Sequence, residues 1–242
     1  MMIDFHAHIL PNVDDGPSEM EESLSMLRWS FLQGVDVVVS TSHFYANEEY
    51  PHRFLERRNG AYQALQDAMR QCPGAYPEVV LGAEVLYFPG ISDAEEMESL
   101  MIGSSRSILI EPPMAPWSNG MLDEIVRLGE NFRCVPVIAH VDRYMQLLRD
   151  RRLMDRVRER DLLVQVNAAY FLNPKTRRAA IKHLKEGNIQ LVGSDCHHLE
   201  SRAPNLGPAW NQAKAQGAAA EFMALSRNAE ALLRGESQWE RN

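Results

Sequence analysis

The sequence has 242 residues, with 25 Lys and Arg against 33 Asp and Glu, so its formal net charge at pH 7 is −8. An apolar fraction of 45% is enough to bury a substantial core, which excludes a disordered or low-complexity chain. The acidic balance argues against a nucleic-acid binder, because contact with phosphate backbones requires a basic face.

Short apolar runs alternate with longer helix-like segments, and this alternation predicts a parallel sheet. The seven predicted strands are residues 2–5, 35–41, 79–85, 107–111, 134–139, 163–167 and 190–193. The predicted helices are residues 19–33, 53–70, 121–131, 144–160, 174–186 and 218–234. Most of the strands are apolar throughout, as expected for burial on both faces, and the chain length suits a TIM-type barrel. We therefore expect an α/β barrel as a single domain over residues 1–235, followed by a tail over residues 236–242.

Residues of the types that bind metals fall where the predicted strands end. The first strand runs into Asp4-Phe5-His6-Ala7-His8, and its two histidines should point the same way because side chains alternate along a strand. Further candidates follow this strand and five others: Asp15, His43, Glu84, Glu111, His140, Asp195 and His197. One such residue alone is more often a helix cap or a surface group. Their joint occurrence at six strand ends indicates a metal centre, since barrel enzymes carry their active sites on this face.

The chemistry of these nine candidates limits the metal and the reaction. All the ligand atoms are nitrogen or oxygen, which favours Mn, Fe, Zn or Mg. Nine ligands are too many for one ion, so we expect a cluster of two or three. Three divalent ions against the four carboxylates would leave two positive charges, which a phosphate monoester dianion would neutralise. Such clusters activate water for phosphoryl transfer.

Longer motifs follow in a recognisable order: D-F-H-A-H-I-L-P-N-V-D-D-G-P, E-E-S-L, T-S-H-F-Y, G-A-E-V, L-I-E-P, V-I-A-H-V-D-R-Y, Q-V-N-A and G-S-D-C-H-H. They resemble the PHP (polymerase and histidinol phosphatase) superfamily, and within it the bacterial CpsB/YwqE-type protein-tyrosine phosphatases. The resemblance runs nearly end to end. It implies a distorted (β/α)7 TIM-like barrel, the PHP fold, with three divalent ions, usually manganese.

The resemblance also implies roles for individual residues. One metal would take His6, His8, Glu84 and Asp195, the second Glu84, Glu111 and His140, and the third Asp15, His43 and His197. Arg143 and Arg202 would hold the phosphate, which suits the guanidinium fork. Three neighbours stay without a role, namely Asp14, Asp142 and His198.

The activity that the resemblance implies is hydrolysis of phosphotyrosine in proteins by a metal-activated hydroxide. The implied partner is a phosphotyrosine-bearing protein, the tail of a bacterial tyrosine autokinase that controls capsular or exopolysaccharide synthesis. We expect a cytoplasmic protein, because the sequence contains no signal peptide and no stretch of about 20 apolar residues. The oligomeric state stays open.

Three alternatives remain open on the sequence. Cys196 and Arg202 have the C-x5-R spacing of cysteine-dependent tyrosine phosphatases, but the five residues between them include no glycine to cradle a phosphate. The chain could instead be a small-molecule phosphomonoesterase, such as histidinol-phosphate phosphatase. It could also be an inactive, metal-bearing regulatory module.

Overall fold

The computed structural model of the chain describes residues 1–148 and 152–236. Its strands are β1 (Ile3–Ala7), β2 (Val37–Ser40), β3 (His43–Phe44), β4 (Glu78–Leu81), β5 (Glu84–Leu86), β6 (Ser107–Glu111), β7 (Val135–Ile138), β8 (Leu163–Asn167) and β9 (Leu191–Gly193). Its α-helices are α1 (Met20–Leu32), α2 (Pro51–Gln71), α3 (Asn119–Phe132), α4 (Val141–Leu147), α5 (Leu153–Arg158), α6 (Ala169–Leu172), α7 (Arg177–Lys185), α8 (Leu206–Ala215) and α9 (Ala219–Leu233). Short 3-10 turns cover Ile91–Asp93 and Met97–Leu100.

The strands pair in parallel throughout the described residues and form two adjoining sheets, ordered β1-β2-β4 and β3-β5-β6-β7-β8-β9. The chain passes from the first sheet to the second at two steps, residues 41–42 and residues 82–83. Across these steps Gly82 N–H donates to Ser40 O (2.8 Å) and Glu84 N–H donates to Thr41 O (3.2 Å). The predicted strand 79–85 is therefore wrong in part, because it is two strands that belong to different sheets.

The wall of the barrel closes where β9 meets β1. Ala7 and Cys196 form a parallel bridge, Asp195 N–H donates to His6 O (2.7 Å), and His8 N–H donates to Cys196 O (2.9 Å). The approach requires glycine at position 193, since a Cβ there would lie 2.4 Å from His6 Cβ. The two divided strands each count as one position in the wall, so seven positions enclose the interior. The distorted (β/α)7 barrel expected from the sequence is confirmed.

A β-bulge in β1 decides which of its side chains face the interior. The pairing register with β2 shifts by one residue between Asp4 and Ala7. Ile3 and Phe5 belong to the apolar cluster inside the barrel, whereas Ala7 packs in the outer cluster beneath the helices. An extra residue on one strand reverses the alternation beyond it. His6 and His8 therefore face the interior beyond the bulge.

The interior of the barrel is apolar at one end and polar at the other. Buried residues of the strands fill the end where the strands begin, among them Val37, Leu163 and Leu191. Helix α9 contributes Ala229 and Leu232 to the same cluster and so closes that end. The opposite end, where the strands finish, is left to the polar side chains of the strand ends.

Most predicted helices are confirmed to within a few residues, but the segment 144–160 is wrong as one helix. It contains the end of α4 and the whole of α5, and residues 149–151 between them lie outside the described residues. Helices α6 and α8 were not predicted. The domain boundary at residue 235 stays a prediction, and residues 237–242 of the predicted tail also lie outside the described residues.

Within residues 1–148 and 152–236, every helix is too short or too polar to cross a bilayer. The cytoplasmic location stays a prediction.

Candidate metal centre

The structure brings the nine predicted ligand residues together at the end of the barrel where the strands finish. His6 is the last residue but one of β1, His43 starts β3, Glu84 starts β5 and Glu111 ends β6. The other members lie in the segments that follow the strands: His8, Asp15, His140, Asp195 and His197. Potential ligand atoms of eight of the nine lie within 4.8 Å of one another in three overlapping groups: His8, Asp15, His43 and His197; His6, His8 and Asp195; and His43, Glu84 and Glu111. The ninth residue, His140, lies beside them, with its Nε2 at 2.7 Å from Glu84 Oε1.

The first cluster of atoms is buried beside β1. His6 Nε2 lies 3.0 Å from Glu84 Oε2 and 3.6 Å from Asp195 Oδ1. His8 Nε2 lies 3.2 Å and 3.8 Å from the same two oxygens. The side chains involved are at most 2% exposed. Two nitrogens and two oxygens thus face one small volume, which is the arrangement of a metal-binding site.

The second carboxylate oxygen of Glu84, Oε1, contacts a different histidine. Its Oε1 lies 2.7 Å from His140 Nε2, which is also 3.4 Å from Glu111 Oε1. The carboxylate of Glu84 therefore lies between His6 and His8 on one side and His140 on the other. Glu84 could thus contribute an oxygen to each of two metal ions.

A third group lies nearer the solvent. Asp15 Oδ1 is 3.1 Å from His197 Nε2 and 3.5 Å from His43 Nε2. The side chain of Asp15 is 61% exposed, whereas that of His197 is 1% exposed. The three groups thus extend from the buried interior of the barrel towards the solvent at the end where the strands finish, which we call the mouth.

The protonation of the imidazoles indicates that a cation fits this site. Asp14 Oδ2 lies 2.7 Å from His8 Nδ1, so this nitrogen carries a hydrogen, and in the neutral form that binds metals the ring would turn the lone pair of Nε2 towards Glu84. His6 Nε2 lies only 3.1 Å from His8 Nε2. Lone pairs and carboxylate oxygens at such distances repel one another unless positive charge lies between them.

The pKa values of His8, His140 and His197 shift in different directions. Burial alone would lower the pKa of His8, but the charge of Asp14 and hydrogen bonds to Asp14 and Glu84 raise it to about 10. Burial likewise opposes protonation of His140, yet hydrogen bonds to Glu111 and Glu84 raise its pKa to about 9. Burial lowers the pKa of His197 to about 3, which leaves it in the neutral form that binds metals.

Unpartnered nitrogen atoms support the fit to metal ions. Nδ1 of His43 and Nε2 of His197 are buried and make no hydrogen bond among the described residues. Each lies close to a carboxylate oxygen, at 3.2 Å from Glu84 Oε2 and 3.1 Å from Asp15 Oδ1 respectively. Buried polar atoms normally find partners, so these two are explained by ligands that the protein chain itself does not supply.

The two predicted phosphate-binding arginines reach the same carboxylate at the mouth. Arg143 donates to Asp195 Oδ2, and Arg202 donates to Asp195 Oδ1 (2.5 Å). Their side chains are 31% and 40% exposed, so both can also be reached from the solvent. Asp195 and Arg202 have φ of 53° and 56°, and His140 has φ of 31°. Such conformations are costly for residues other than glycine and concentrate at functional sites.

The three neighbours left without a role differ in what they contact. Asp14 holds His8, as described above. Asp142 is buried and accepts from the backbone N–H of Asn167 (2.9 Å), whose side chain donates to Asp195 Oδ2 (2.8 Å). His198 lies outside the cluster, with Nδ1 at 3.4 Å from Glu22 Oε1.

The sequence reasoning missed two buried amides of β8, Gln165 and Asn167. Gln165 Oε1 accepts from the backbone N–H of His140 (2.6 Å) and lies 3.2 Å from His6 Nδ1. A signal was present, because two polar residues at alternate positions interrupt an otherwise apolar strand. That alternation places both on one face, and the polar end of the barrel is where they can be satisfied.

The structure argues against catalysis by Cys196. Its side chain is fully buried and packs in the outer hydrophobic cluster. Burial and the nearby charge of Asp4 raise the pKa of its thiol far above the usual range. A nucleophilic cysteine needs a lowered pKa and access to its substrate, and Cys196 has neither.

Known protein sequences match this chain over most of its length. The family model for capsular polysaccharide synthesis, CpsB/CapC, matches residues 2–234. The tyrosine-protein phosphatase CpsB of Streptococcus pneumoniae is 32% identical over 228 residues, which cover 87% of this chain and 88% of that protein. The tyrosine-protein phosphatase YwqE of Bacillus subtilis (strain 168) is 27% identical over 248 residues, which cover 98% and 93% of the two chains.

Comparison with solved structures supports the fold. One match comes from crystal structures of YwqE from Bacillus subtilis and CpsB from Streptococcus pneumoniae, unique metal-dependent tyrosine phosphatases. It has a TM-score of 0.84 at 22% identity and covers 100% of this chain and 97% of the other. The lactonase Lmo2620 from Listeria monocytogenes gives a TM-score of 0.55 at 11% identity, covering 98% and 95% of the two chains. At these identities the matches show a shared barrel fold.

Proposed function

Because the chain belongs to the capsular polysaccharide synthesis family CpsB/CapC, we propose that it is a metal-dependent tyrosine-protein phosphatase. The observation that carries this proposal is the convergence of nitrogen and oxygen ligands from six strand ends in one mouth of the barrel. The relatives that align with nearly the whole chain are tyrosine-protein phosphatases. The reaction is hydrolysis of phosphotyrosine in a protein substrate.

We assign the ligands to three metal positions. Each position draws on one of the clusters described above: His6, His8, Glu84 and Asp195 for the first; Glu84, Glu111 and His140 for the second; Asp15, His43 and His197 for the third. The double-sided contacts of Glu84 support its role as a ligand shared by two ions. Manganese is the proposed metal, and Fe, Zn and Mg suit the same nitrogen and oxygen ligands.

The ions and the arginines share the task of handling phosphate. Divalent ions bound here would lower the pKa of a water molecule and neutralise the oxygens of the phosphoryl group. Arg143 and Arg202 lie at the open side of Asp195, where they would orient the remaining phosphate oxygens by paired hydrogen bonds. The leaving group is a phenolate with a pKa of about 10, which needs less protonation than an alkoxide would.

The proposed partner is the phosphorylated tail of a bacterial tyrosine autokinase of capsule or exopolysaccharide synthesis. The support for this partner is the family to which the chain belongs. An extended tail suits the site, because the ligand residues lie at the end of a barrel and the arginines beside them are partly exposed.

The proposal is tested by measuring phosphate release from a phosphotyrosine peptide and from histidinol phosphate. The purified protein is assayed after treatment with a chelator and again after Mn²⁺ is restored, beside a Cys196→Ser variant. We expect turnover of the peptide that disappears with the chelator, returns with Mn²⁺ and survives the cysteine substitution.

Other outcomes would contradict the proposal in distinguishable ways. Preference for histidinol phosphate would identify a small-molecule phosphomonoesterase. Phosphate release that is unchanged by the chelator and is lost in Cys196→Ser would identify cysteine catalysis. No metal-dependent turnover of either substrate would favour a regulatory module.

A further inference from the structure

A single buried amide connects two of the proposed metal positions. Gln165 lies in the middle of β8 and is fully buried. Its Oε1 accepts a hydrogen bond from the backbone N–H of His140 (2.6 Å) and lies 3.2 Å from Nδ1 of His6. His6 and His140 are ligands of different positions, and they come from strand ends on opposite sides of β8 in the wall.

The orientation of this amide is determined by its partners. A backbone N–H can only donate, so the atom of Gln165 that faces His140 must be the oxygen. Its Nε2 donates to Val166 O (2.8 Å) and lies 3.2 Å from Asn167 Oδ1. Both ends of the side chain are therefore held, and the amide has no alternative arrangement at low energy.

This orientation has a consequence for each of the two histidines. Because an oxygen faces His6 Nδ1, that nitrogen carries the hydrogen, and Nε2 presents its lone pair towards Glu84 and Asp195. For His140 the hydrogen bond holds the backbone at a residue with φ of 31°, a conformation that needs support from its surroundings. That backbone determines where the His140 ring lies, 2.7 Å from Glu84 Oε1.

We propose that Gln165 is a positioning residue that prearranges His6 and His140 together, so that two metal positions depend on one side chain. The inference rests on the ligand assignment of the proposed function, but its readout is metal binding and not phosphatase activity. Groups that orient metal ligands typically contribute about 10–100-fold to metal affinity. We expect an effect of that size at both positions when the amide is removed.

The chain offers a matched control in Gln190. This glutamine is also buried, at 7% exposure, and its Oε1 accepts from the backbone N–H of Val164 (3.0 Å) while its Nε2 donates to Gly187 O (2.8 Å). It precedes β9, at the end of the barrel away from the metal centre. Gln190→Met and Gln165→Met therefore remove the same kind of buried amide contact to the backbone, and only the second touches the metal ligands.

The experiment is a calorimetric titration of chelator-treated protein with MnCl₂ for the original chain and both variants, with metal content measured after dialysis. Thermal melting in the presence of chelator reports the general cost of each substitution. We expect Gln165→Met to weaken two binding steps by about 10–100-fold and to retain less metal. Gln190→Met should bind Mn²⁺ as the original chain does.

Unchanged Mn²⁺ affinity in Gln165→Met would overturn the inference, and so would an equal loss in Gln190→Met. If Gln165→Met does not fold, Gln165→Asn serves instead, because it keeps a buried amide that is one methylene too short to reach both histidines. Its loss of affinity would support the inference, and full affinity would overturn it. A protein that follows these expectations but does not cleave phosphotyrosine would contradict only the proposed function.

Discussion

Asp14 is not among the proposed metal ligands, yet two of them depend on it. Its Oδ2 lies 2.7 Å from His8 Nδ1 and accepts from the backbone N–H of His43 (2.9 Å). We expect Asp14→Ala to lower the affinity for Mn²⁺ by about 10–100-fold, because the His8 ring loses the partner that fixes its tautomer. Calorimetric titration measures this. Asp155→Ala, which removes an exposed carboxylate of α5, is the control, and equal affinities in the two variants would contradict the role of Asp14.

The arginines at the mouth should not tolerate lysine. A hydrogen bond to a charged group contributes about 1.5–3 kcal/mol, and lysine cannot form the paired contacts of a guanidinium. Arg143→Lys and Arg202→Lys should each lower kcat/KM for a phosphotyrosine peptide roughly 10- to 100-fold. Steady-state kinetics with saturating Mn²⁺ measures the effect. Arg158→Lys, on the exposed surface of α5, should leave kcat/KM unchanged, and a similar value for all three variants would rule out a phosphate contact.

The three cysteines should differ in reactivity. Burial raises the pKa of the Cys134 thiol to about 11 and that of Cys196 higher still, so both stay protonated at pH 8. Cys72 is partly exposed. A brief treatment of the native protein with iodoacetamide at pH 8 should give one adduct by mass spectrometry, at Cys72, and three after unfolding. Rapid labelling of Cys196 in the native protein would contradict the buried position that we describe.

At the scale of elements, the contact of β9 with β1 should be the most sensitive to volume. An alanine at position 193 would place its Cβ 2.4 Å from His6 Cβ and 2.7 Å from His6 N. Overpacking typically costs about 1–3 kcal/mol, and here both strands would have to separate. We expect Gly193→Ala to lower the free energy of unfolding in urea by at least that amount.

Gly60 provides the opposite expectation within the same measurement. It lies inside α2, and nothing lies within 4 Å of the position its Cβ would take. Gly60→Ala should raise the free energy of unfolding by about 0.5–1 kcal/mol, because alanine loses less backbone entropy than glycine in a helix. Similar effects of the two substitutions would contradict the close approach of β9 to β1.

The elements that the sequence did not predict are those without a periodic signal. The strand β3 has two residues, and the break between β4 and β5 spans two more, which is too little for an alternation to register. Helix α8 begins Leu206-Gly207-Pro208, and these residue types usually mark a turn. The candidate site was more predictable than these elements, because strand ends at one edge of a parallel barrel must meet. What could not be predicted was the pairing inside it, such as the contact of Gln165 with two histidines from distant segments.

At the scale of the whole molecule, metal binding should contribute substantially to stability. Ligands that bind only the folded chain stabilise it by about 2.7 kcal/mol when present at one hundred times Kd. For a domain of this size 1 kcal/mol shifts Tm by about 2–4 °C, so one occupied site should raise Tm by roughly 5–10 °C. Differential scanning calorimetry with chelator and then with Mn²⁺ measures this shift. It should shrink in Glu84→Gln, whose carboxylate faces two clusters, and a Tm that ignores Mn²⁺ would contradict the metal centre.

The closure of the barrel by β1 and β9 limits when the barrel can form during synthesis on the ribosome. The carboxylate of Asp4 accepts a hydrogen bond from the backbone N–H of Ser194 (2.7 Å), a partner 190 residues later in the chain. Synthesis proceeds from the N-terminus. The edge of β1 that contacts β9 therefore stays unpaired until β9 has been translated. Asp195 and His197 are translated directly after β9. The proposed ligand set is therefore complete only after β9 and the residues that follow it have been translated, so a metal centre built from these residues cannot form before that point.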